Sequence, residues 1–241
     1  MMGRVSTPAP DAAAPDVLVV DWGGVLTVPL AQAFGGWAQA EGVPMELYRD
    51  TLREWGFVEA APARGTDEVA GGSVGGDLAA GPVAALERGE LPREEFERLL
   101  AGELVRRGVE VRADGLLDRM LGGLDAPEPR MHDLVRAARR AGMRTALLSN
   151  SWGNTYDRTG WDEMFEVVVI SGEVGMRKPE ARIFTRTAEL LGVEPSRCVM
   201  VDDLPSNVAG AEAVGMHAVL HRDVATTARA LRELTGLDLA T

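Results

Sequence analysis

Acidic, hydroxyl and amide side chains stand at the ends of three short apolar runs in this 241-residue chain. Asp21 follows the first run, Ser149 and Asn150 follow the second, and the adjacent acids Asp202 and Asp203 follow the third. Grouped carboxylates bind hard divalent cations such as Mg²⁺ through oxygen. A hydroxyl and nearby backbone N–H groups can hold phosphate oxygens. Brought together, these residues would suit phosphoryl transfer, in which a carboxylate attacks phosphorus.

One lysine, Lys178, stands out among the basic residues. Of the 25 lysine and arginine residues in the chain, the other 24 are arginine. A nucleotide-composition bias explains such a skew, but it does not explain why one lysine is kept. A compact ammonium group is needed only at particular sites, whereas arginine serves equally well on a surface. We therefore predict that Lys178 belongs to the site and offsets the charge of a phosphate.

The runs that carry these residues are typical of a buried parallel sheet. Short apolar runs rich in β-branched residues cover 17–20, 144–148, 166–170, 198–201 and 217–220. Segments with helical spacing separate the later runs, at 130–141, 180–191 and 205–214. This alternation predicts an α/β fold with a Rossmann-like parallel sheet core and helices on both faces. The carboxyl ends of parallel strands meet at one edge, where ligands bind.

Residues 30–125 interrupt the alternation after the first strand. Helical patterns cover 30–40, 45–57, 92–106 and 113–122, and a glycine-rich piece without a clear period covers 65–81. We interpret this insertion as a small helical cap domain. The predicted organisation is a disordered tail at 1–16, an α/β core at 17–29 and 126–241, and a helical cap at 30–125.

Composition excludes several other classes of protein. Hydrophobic residues make up 46% of the chain and charged residues 26%, as in ordinary globular proteins, and no run is long enough for a membrane-spanning helix. The formal net charge of -12 argues against nucleic acid and against anionic membranes as partners. The single cysteine, Cys198, excludes an internal disulfide and favours a reducing compartment. With no export signal visible, we expect a cytoplasmic protein. The sequence predicts no particular oligomeric state.

Four motifs in a fixed order resemble those of the haloacid dehalogenase superfamily, whose members are mostly phosphatases. The motifs begin at Asp21 (DWGGVLT), at Leu147 (LLSN), at Lys178 (KP) and at Val201 (VDD). Each is weak alone, but together they span residues 17–222 on the expected elements. The helical insertion is similar to the family's C1-type cap, which closes over the substrate.

The resemblance implies a role for each matching residue. Asp21 would be the nucleophile and a metal ligand, and Lys178 would pair with it and with the phosphate. Ser149 would hold the transferring phosphoryl group. The implied Mg²⁺ ligands are Asp21, the carbonyl oxygen of Gly23, Asp202 and Asp203. The implied phosphate-binding or substrate-binding residues are Trp22, Gly23, Gly24, Ser149, Asn150 and Lys178. The substrate would be a small phosphorylated organic molecule.

Gly23 departs from the family pattern. Most family phosphatases carry a second aspartate two residues after the nucleophile, where it protonates the leaving group and activates water. General acid–base help of this kind is worth roughly 10²- to 10⁴-fold. Two alternatives to a phosphatase therefore stay open: a metal-independent haloacid dehalogenase, which the acids Asp202 and Asp203 disfavour, and a catalytically silent binding protein, which Gly23 favours. A substrate whose leaving group departs easily would need the missing acid least.

Aromatic residues are concentrated in the first part of the insertion. Two interpretations are open: that they form the core of the cap, which we favour, or that they wall a pocket for an apolar or ring-bearing substrate. The residues are Phe34, Trp37, Tyr48, Trp55 and Phe57. Trp22 and Trp152, beside the first and second motifs, would extend such a wall.

Overall fold

The computed structural model describes residues 14–55, 80–124, 126–153 and 155–239. Phe57, residues 1–13 of the predicted tail and most of the glycine-rich segment lie outside the described residues. Five strands form one sheet, and each of them matches a predicted apolar run. The strands are β1 (Val17–Val20), β2 (Arg144–Ser149), β3 (Val167–Ile170), β4 (Cys198–Asp202) and β5 (His217–Leu220).

All neighbouring strands of the sheet are parallel, in the order β3-β2-β1-β4-β5. The first strand is therefore central and lies between β2 and β4. In register, Val20 at the end of β1 pairs with Leu147 on one side and Val201 on the other. The predicted α/β class and parallel topology are confirmed, and the three strands that carry the polar motifs are direct neighbours.

Eleven α-helices are present among the described residues. Five of them lie between β1 and the rest of the core, and six alternate with or follow the later strands. The first five are α1 (Leu30–Glu41), α2 (Met45–Glu54), α3 (Pro82–Glu87), α4 (Arg93–Arg106) and α5 (Leu116–Leu121). The others are α6 (Pro129–Arg140), α7 (Trp161–Met164), α8 (Ser171–Val174), α9 (Ala181–Leu191), α10 (Pro205–Ala213) and α11 (Val224–Thr235).

Helices cover both faces of the sheet. Strand residues alternate between the faces, so Leu18 and Val20 pack with α6, α7 and α11, while Val17 and Val19 pack with α9 and α10. The spacing of apolar residues explains which side each helix buries. In α6, for example, Met131, Leu134, Val135 and Ala138 are fully buried at intervals of three, one and three residues.

The helices α1–α5 form a unit that we call the helical insert, and it has a hydrophobic cluster of its own. Phe34, Trp37 and Tyr48 are buried in this cluster, and Trp55 packs against it. None of these four residues lines the main cavity described below. For them the structure confirms that the aromatic enrichment serves the core of the insert and not a pocket wall.

Several elements differ from the sequence-based prediction. The short helices α3, α7 and α8 and the last helix α11 were not predicted, and the helix expected at 113–122 begins at Leu116. Hydrogen bonding to the sheet begins at Asp16, whose N–H donates to the carbonyl of Arg197 at 3.1 Å. Within the described ranges, no helix combines the length and the apolar composition that crossing a bilayer requires. The cytoplasmic location stays a prediction.

Candidate active site

The site is built where β1, β2 and β4 end at the same edge of the sheet. Asp21 immediately follows β1, and its N–H donates to the carbonyl of Val201 at 3.0 Å, which holds it beside β4. Ser149 is the last residue of β2 and Asp202 the last of β4. All three side chains are buried. Residues far apart along the chain thus become neighbours.

The ammonium group of Lys178 bridges two of these carboxylates. Its Nζ lies 2.8 Å from Asp21 Oδ1 and 2.7 Å from Asp202 Oδ2, and the side chain has no exposed surface. Burial alone would lower the pKa of Lys178, but the two carboxylates outweigh this and raise it. Burial raises the pKa of Asp21 well above its usual value, and the charge of Lys178 opposes the rise. The three groups form one electrostatic unit in which the lysine is charged.

Asn150 holds the backbone of Lys178 in place. The Lys178 N–H donates to Asn150 Oδ1 at 2.8 Å, and Asn150 Nδ2 donates to the Lys178 carbonyl at 3.0 Å. The peptide bond between Lys178 and Pro179 is cis. Asn150 also lines the cavity, as expected of a ligand-binding residue, but its amide is already engaged by the lysine segment.

Asp203 completes a cluster of three carboxylates with Asp21 and Asp202. One oxygen from each residue lies within 4.8 Å of the others. Asp202 Oδ1 accepts hydrogen bonds from the Leu204 N–H and from Asn207 Nδ2, both at 2.9 Å. By contrast, Asp203 Oδ1 is buried and has no hydrogen-bond partner among the described residues. Burial, reinforced by the charge of Asp202, raises the pKa of Asp203 to about 7.

This donor set fits a hard divalent cation. Buried polar atoms are normally paired, so the free Oδ1 of Asp203 indicates a missing partner. Three carboxylates lie close together in this cluster, and Lys178 contacts only Asp21 and Asp202, so a cation beside Asp203 would offset the remaining repulsion. Oxygen ligands of this kind are those that Mg²⁺ prefers. The acidic cluster can therefore hold such an ion.

The loop after Asp21 packs tightly against this cluster. Trp22 N–H donates to Asp21 Oδ1 at 2.7 Å, so that oxygen is shared with Lys178. Gly24 has a left-handed backbone with φ of 76°, and a Cβ placed there would lie 2.8 Å from Asp203 Cγ. Only glycine fits this approach. Gly23 lines the cavity beside Asp21.

A cavity of about 530 Å³ opens in front of Asp21. Ser149 lies on its wall, and Ser149 Oγ is 2.9 Å from the hydroxyl of Tyr156. Trp22 and Trp152 line it too. Five of the nine sequence-predicted site residues line this cavity: Asp21, Trp22, Gly23, Ser149 and Asn150. Of the other four, Lys178 contacts Asp21 and Asp202, and Asp203 lies beside Asp202 and Gly24.

Tyr156 and Glu87 are among the cavity residues that sequence reasoning missed, as is Trp161. Tyr156 lies in the loop after β2, where no periodic pattern points to it. Glu87, the last residue of α3, is almost fully buried and accepts hydrogen bonds from Trp152 Nε1 at 3.0 Å, from Asn150 Nδ2 at 3.3 Å and from Arg177 Nε. Helix α3 has only six residues, so the sequence shows no periodic pattern that would indicate that this acid is buried.

Fold and site together define an α/β enzyme whose acidic cluster lies at the carboxyl ends of parallel strands and can hold a divalent cation. The chain belongs to the haloacid dehalogenase-like hydrolase family, whose sequence model matches residues 15–215.

Relatives of this chain include phosphatases. A phosphatase of Mycobacterium tuberculosis is 31% identical over 153 residues, which cover 61% of this chain and 69% of that protein. The bifunctional epoxide hydrolase 2 of Rattus norvegicus is 31% identical over 114 residues, 44% of this chain and 21% of the relative. The chain spans only about a fifth of the length of this second relative.

A solved structure supports the fold. A haloacid dehalogenase family enzyme of Bacteroides thetaiotaomicron, in complex with magnesium and inorganic phosphate, superposes with a TM-score of 0.57 at 19% sequence identity. The superposition covers 86% of this chain and 94% of that one. The shared architecture is therefore that of the family over nearly the whole of both chains.

Proposed function

We propose that this protein is a Mg²⁺-dependent phosphatase that forms an aspartyl-phosphate intermediate on a small organic phosphate monoester. The observation that carries the proposal is the contact of Lys178 with both Asp21 and Asp202, beside the unpartnered carboxylate oxygen of Asp203. This arrangement joins a nucleophile to the positive charge that a phosphate dianion requires. The phosphatase relative and the magnesium and phosphate bound by the family enzyme of known structure support the same interpretation.

The proposed ligands of the Mg²⁺ ion are Asp21, the Gly23 carbonyl oxygen, Asp202 and Asp203. Asp202 already accepts hydrogen bonds on both oxygens, so the free oxygen of Asp203 is the better candidate for direct ligation. When bound, the ion would supply positive charge that offsets both the acidic cluster and the phosphate.

Asp21 is the proposed nucleophile. Lys178 and the Trp22 N–H both engage its Oδ1, whereas no described residue donates a hydrogen bond to its Oδ2. That oxygen attacks phosphorus in line, the bond from phosphorus to the ester oxygen breaks, and the ester oxygen leaves with the electron pair and takes a proton from water. Water then attacks the phosphorus of the acyl phosphate, which frees inorganic phosphate and restores the Asp21 carboxylate.

Lys178 and Ser149 are the proposed phosphate-holding groups. The Lys178 ammonium lies 2.8 Å from the Asp21 carboxylate and favours its ionised form, which opposes the rise in the pKa of Asp21 that burial causes. The Ser149 hydroxyl lines the cavity and can donate to a phosphoryl oxygen once it rotates away from Tyr156. In the loop after Asp21, the Trp22 N–H donates to Asp21 Oδ1 and the Gly24 N–H to Thr27 Oγ1, so the Gly23 N–H is the backbone group proposed to hold a further oxygen.

The proposal is tested by phosphate release from the full chain with a panel of phosphate esters and acetyl phosphate, in Mg²⁺ and in chelator. We expect release that depends on Mg²⁺ and that falls at least about 1,000-fold in Asp21→Asn. Asp50→Asn, an exposed acid on α2, is the control and should keep full activity. Undiminished turnover by Asp21→Asn would refute the mechanism.

The same experiment separates the two alternatives. Release of chloride from a haloacid in the presence of chelator would identify a metal-independent dehalogenase. Mg²⁺ and phosphate binding without any turnover would identify a silent binding protein, which is the outcome that Gly23 favours.

A further inference from the structure

The cavity in front of Asp21 is lined by both polar and apolar side chains, and His132, Arg136 and Asp157 are among the polar ones. Asp21, Gly23 and Ser149 line it where the phosphate is proposed to sit. The same cavity is also lined by Trp22, Tyr156, Trp161, Leu121, Leu124 and Pro127. At about 530 Å³, it falls within the usual range for a small-molecule site and exceeds what a phosphate group alone needs.

Three aromatic rings form a continuous wall of this cavity. The ring of Trp22 lies 5.1 Å from that of Trp161 and 6.1 Å from that of Tyr156, centroid to centroid, and the Tyr156 and Trp161 rings are 5.5 Å apart. All three pairs are tilted or edge-to-face, the arrangements that aromatic rings prefer. Trp161 is buried in the hydrophobic core between the sheet and helices α6, α7 and α11, and the other two rings pack against that core. The wall is therefore anchored on the rigid part of the fold.

The residue that follows Trp22 gives a second, independent indication. Gly23 offers no carboxyl group to protonate the oxygen that leaves phosphorus. A phenol has a pKa of about 10, far below that of an alkyl alcohol, so a phenolate leaves without that proton much more readily. Without an acid at Gly23, an ester of a phenol should be a better substrate than an ester of an alkyl alcohol.

We propose that the substrate is a phosphate monoester of an apolar phenol, with the ring against Trp22, Tyr156 and Trp161 and the phosphate at Asp21. This inference rests on the proposed phosphatase function.

The test compares 1-naphthyl phosphate with glycerol 3-phosphate and with acetyl phosphate. Acetyl phosphate has no ring, but its leaving group departs without being protonated by a general acid. We expect kcat/KM for 1-naphthyl phosphate to exceed that for glycerol 3-phosphate by about 100-fold. A third ester, 2-(1-naphthyl)ethyl phosphate, keeps the ring but has an alkyl leaving group. It should bind with the KM of the naphthyl ester and turn over more slowly.

Substitution of Tyr156 separates ring contact from other effects. Tyr156→Ala should raise KM for 1-naphthyl phosphate about tenfold more than KM for acetyl phosphate, because only the first ester needs the wall, whereas loss of the hydroxyl bonded to Ser149 affects both esters. Tyr156→Phe keeps the ring and should remove that difference between the esters. Trp55→Ala, in the helical insert and outside the cavity, is the control.

A measurement on the unaltered protein covers the case in which Tyr156→Ala does not fold. 1-Naphthol should inhibit hydrolysis of acetyl phosphate competitively, whereas glycerol should not. No hydrolysis of acetyl phosphate would remove the proposed function itself. Hydrolysis of acetyl phosphate, with no preference for naphthyl over glycerol phosphate and no inhibition by naphthol, would overturn the substrate class alone.

Discussion

The indole N–H of Trp152 donates a hydrogen bond of 3.0 Å to Glu87 Oε1, which joins the loop after β2 to the end of helix α3. The Arg177 guanidinium pairs with the same carboxylate, and both charged side chains are buried. Ser171 Oγ donates to the Glu87 carbonyl at 2.5 Å. One residue of the helical insert therefore contacts three separate segments of the core, next to the proposed site.

Removing the charge of Glu87 should destabilise the protein strongly. Glu87→Gln removes the carboxylate charge that pairs with the buried Arg177 guanidinium, and breaking such a buried pair costs about 3 kcal/mol in the free energy of unfolding. Urea denaturation measures this loss. Glu90→Gln is the matched control, since Glu90 pairs with Arg88 at the surface and such a pair contributes at most about 1 kcal/mol. Equal losses in the two variants would contradict the role given to Glu87.

Gly24→Ala should separate backbone strain from damage to the acidic cluster. Its Cβ would collide with the Asp203 carboxyl, so we expect Mg²⁺ affinity, measured by calorimetry, to fall at least about tenfold. Gly42→Ala has a similar backbone, with φ of 69°, but nothing lies within 4 Å of its Cβ. That control should lose about 1 to 2 kcal/mol of stability from left-handed strain alone and keep its Mg²⁺ affinity. Retained affinity in Gly24→Ala would show that Asp203 is not a ligand.

Lys178→Arg tests whether the single lysine is required as a compact charge. The side chain has no exposed surface and touches two carboxylates, so a larger guanidinium must displace them. We expect a loss of about 1 to 3 kcal/mol in stability from overpacking and at least about 100-fold in kcat/KM from misplacement of Asp21. Arg140→Lys, an exposed exchange on α6, should change neither quantity. A fully active Lys178→Arg protein would mean that any cation suffices.

His132 should make the protein less stable in mild acid. Burial lowers its pKa below the ordinary 6.5, and its Nε2 lies 2.9 Å from the Leu26 carbonyl oxygen. As the pH falls below 6.5, the unfolded chain binds a proton that the folded protein resists, so the free energy of unfolding decreases until the pH reaches the folded pKa. At pH values well above 6.5, His132 is neutral in both states and contributes no pH dependence.

His132→Gln should remove that part of the pH dependence, because glutamine can donate to the same carbonyl without titrating. Urea denaturation at about pH 7.5 and about pH 5.5 compares the two proteins. Burial also lowers the pKa of His221, so the variant should keep a smaller loss of the same sign. Identical losses in both proteins would exclude His132 as the source.

The sheet and the acidic site were predictable because both leave strong local signals. Val17–Val20 and Cys198–Asp202 are continuous apolar runs, and each has an acid at its end. Parallel pairing alone then requires Asp21 and Asp202 to be neighbours. The unusual survival of Lys178 marked the third partner without any structural knowledge.

Glu87 and Tyr156 could not be predicted for the opposite reason. Helix α3 has six residues, too few for a period to be legible, and Glu87 is polar yet buried. Tyr156 lies in a loop, so its position next to Ser149 depends on a path of the chain that no pattern encodes. The sequence favours a core role for the aromatic residues of the insert and leaves a pocket wall, extended by Trp22 and Trp152, as the alternative. The structure lines the cavity with Trp22 and Trp152, as that alternative has it, and adds Tyr156 and Trp161.

The central place of β1 has a consequence for how the protein is made. The counter-charge of Asp21 is on Lys178, and its partners in the acidic cluster come only with β4. A nascent polypeptide that ends before these segments contains β2 but lacks β4, so Asp21 would stand at the end of β1 without Lys178 and without the other two carboxylates. The proposed activity therefore requires the part of the chain that is synthesised last. An N-terminal fragment that ends before Lys178 is expected to have none of it.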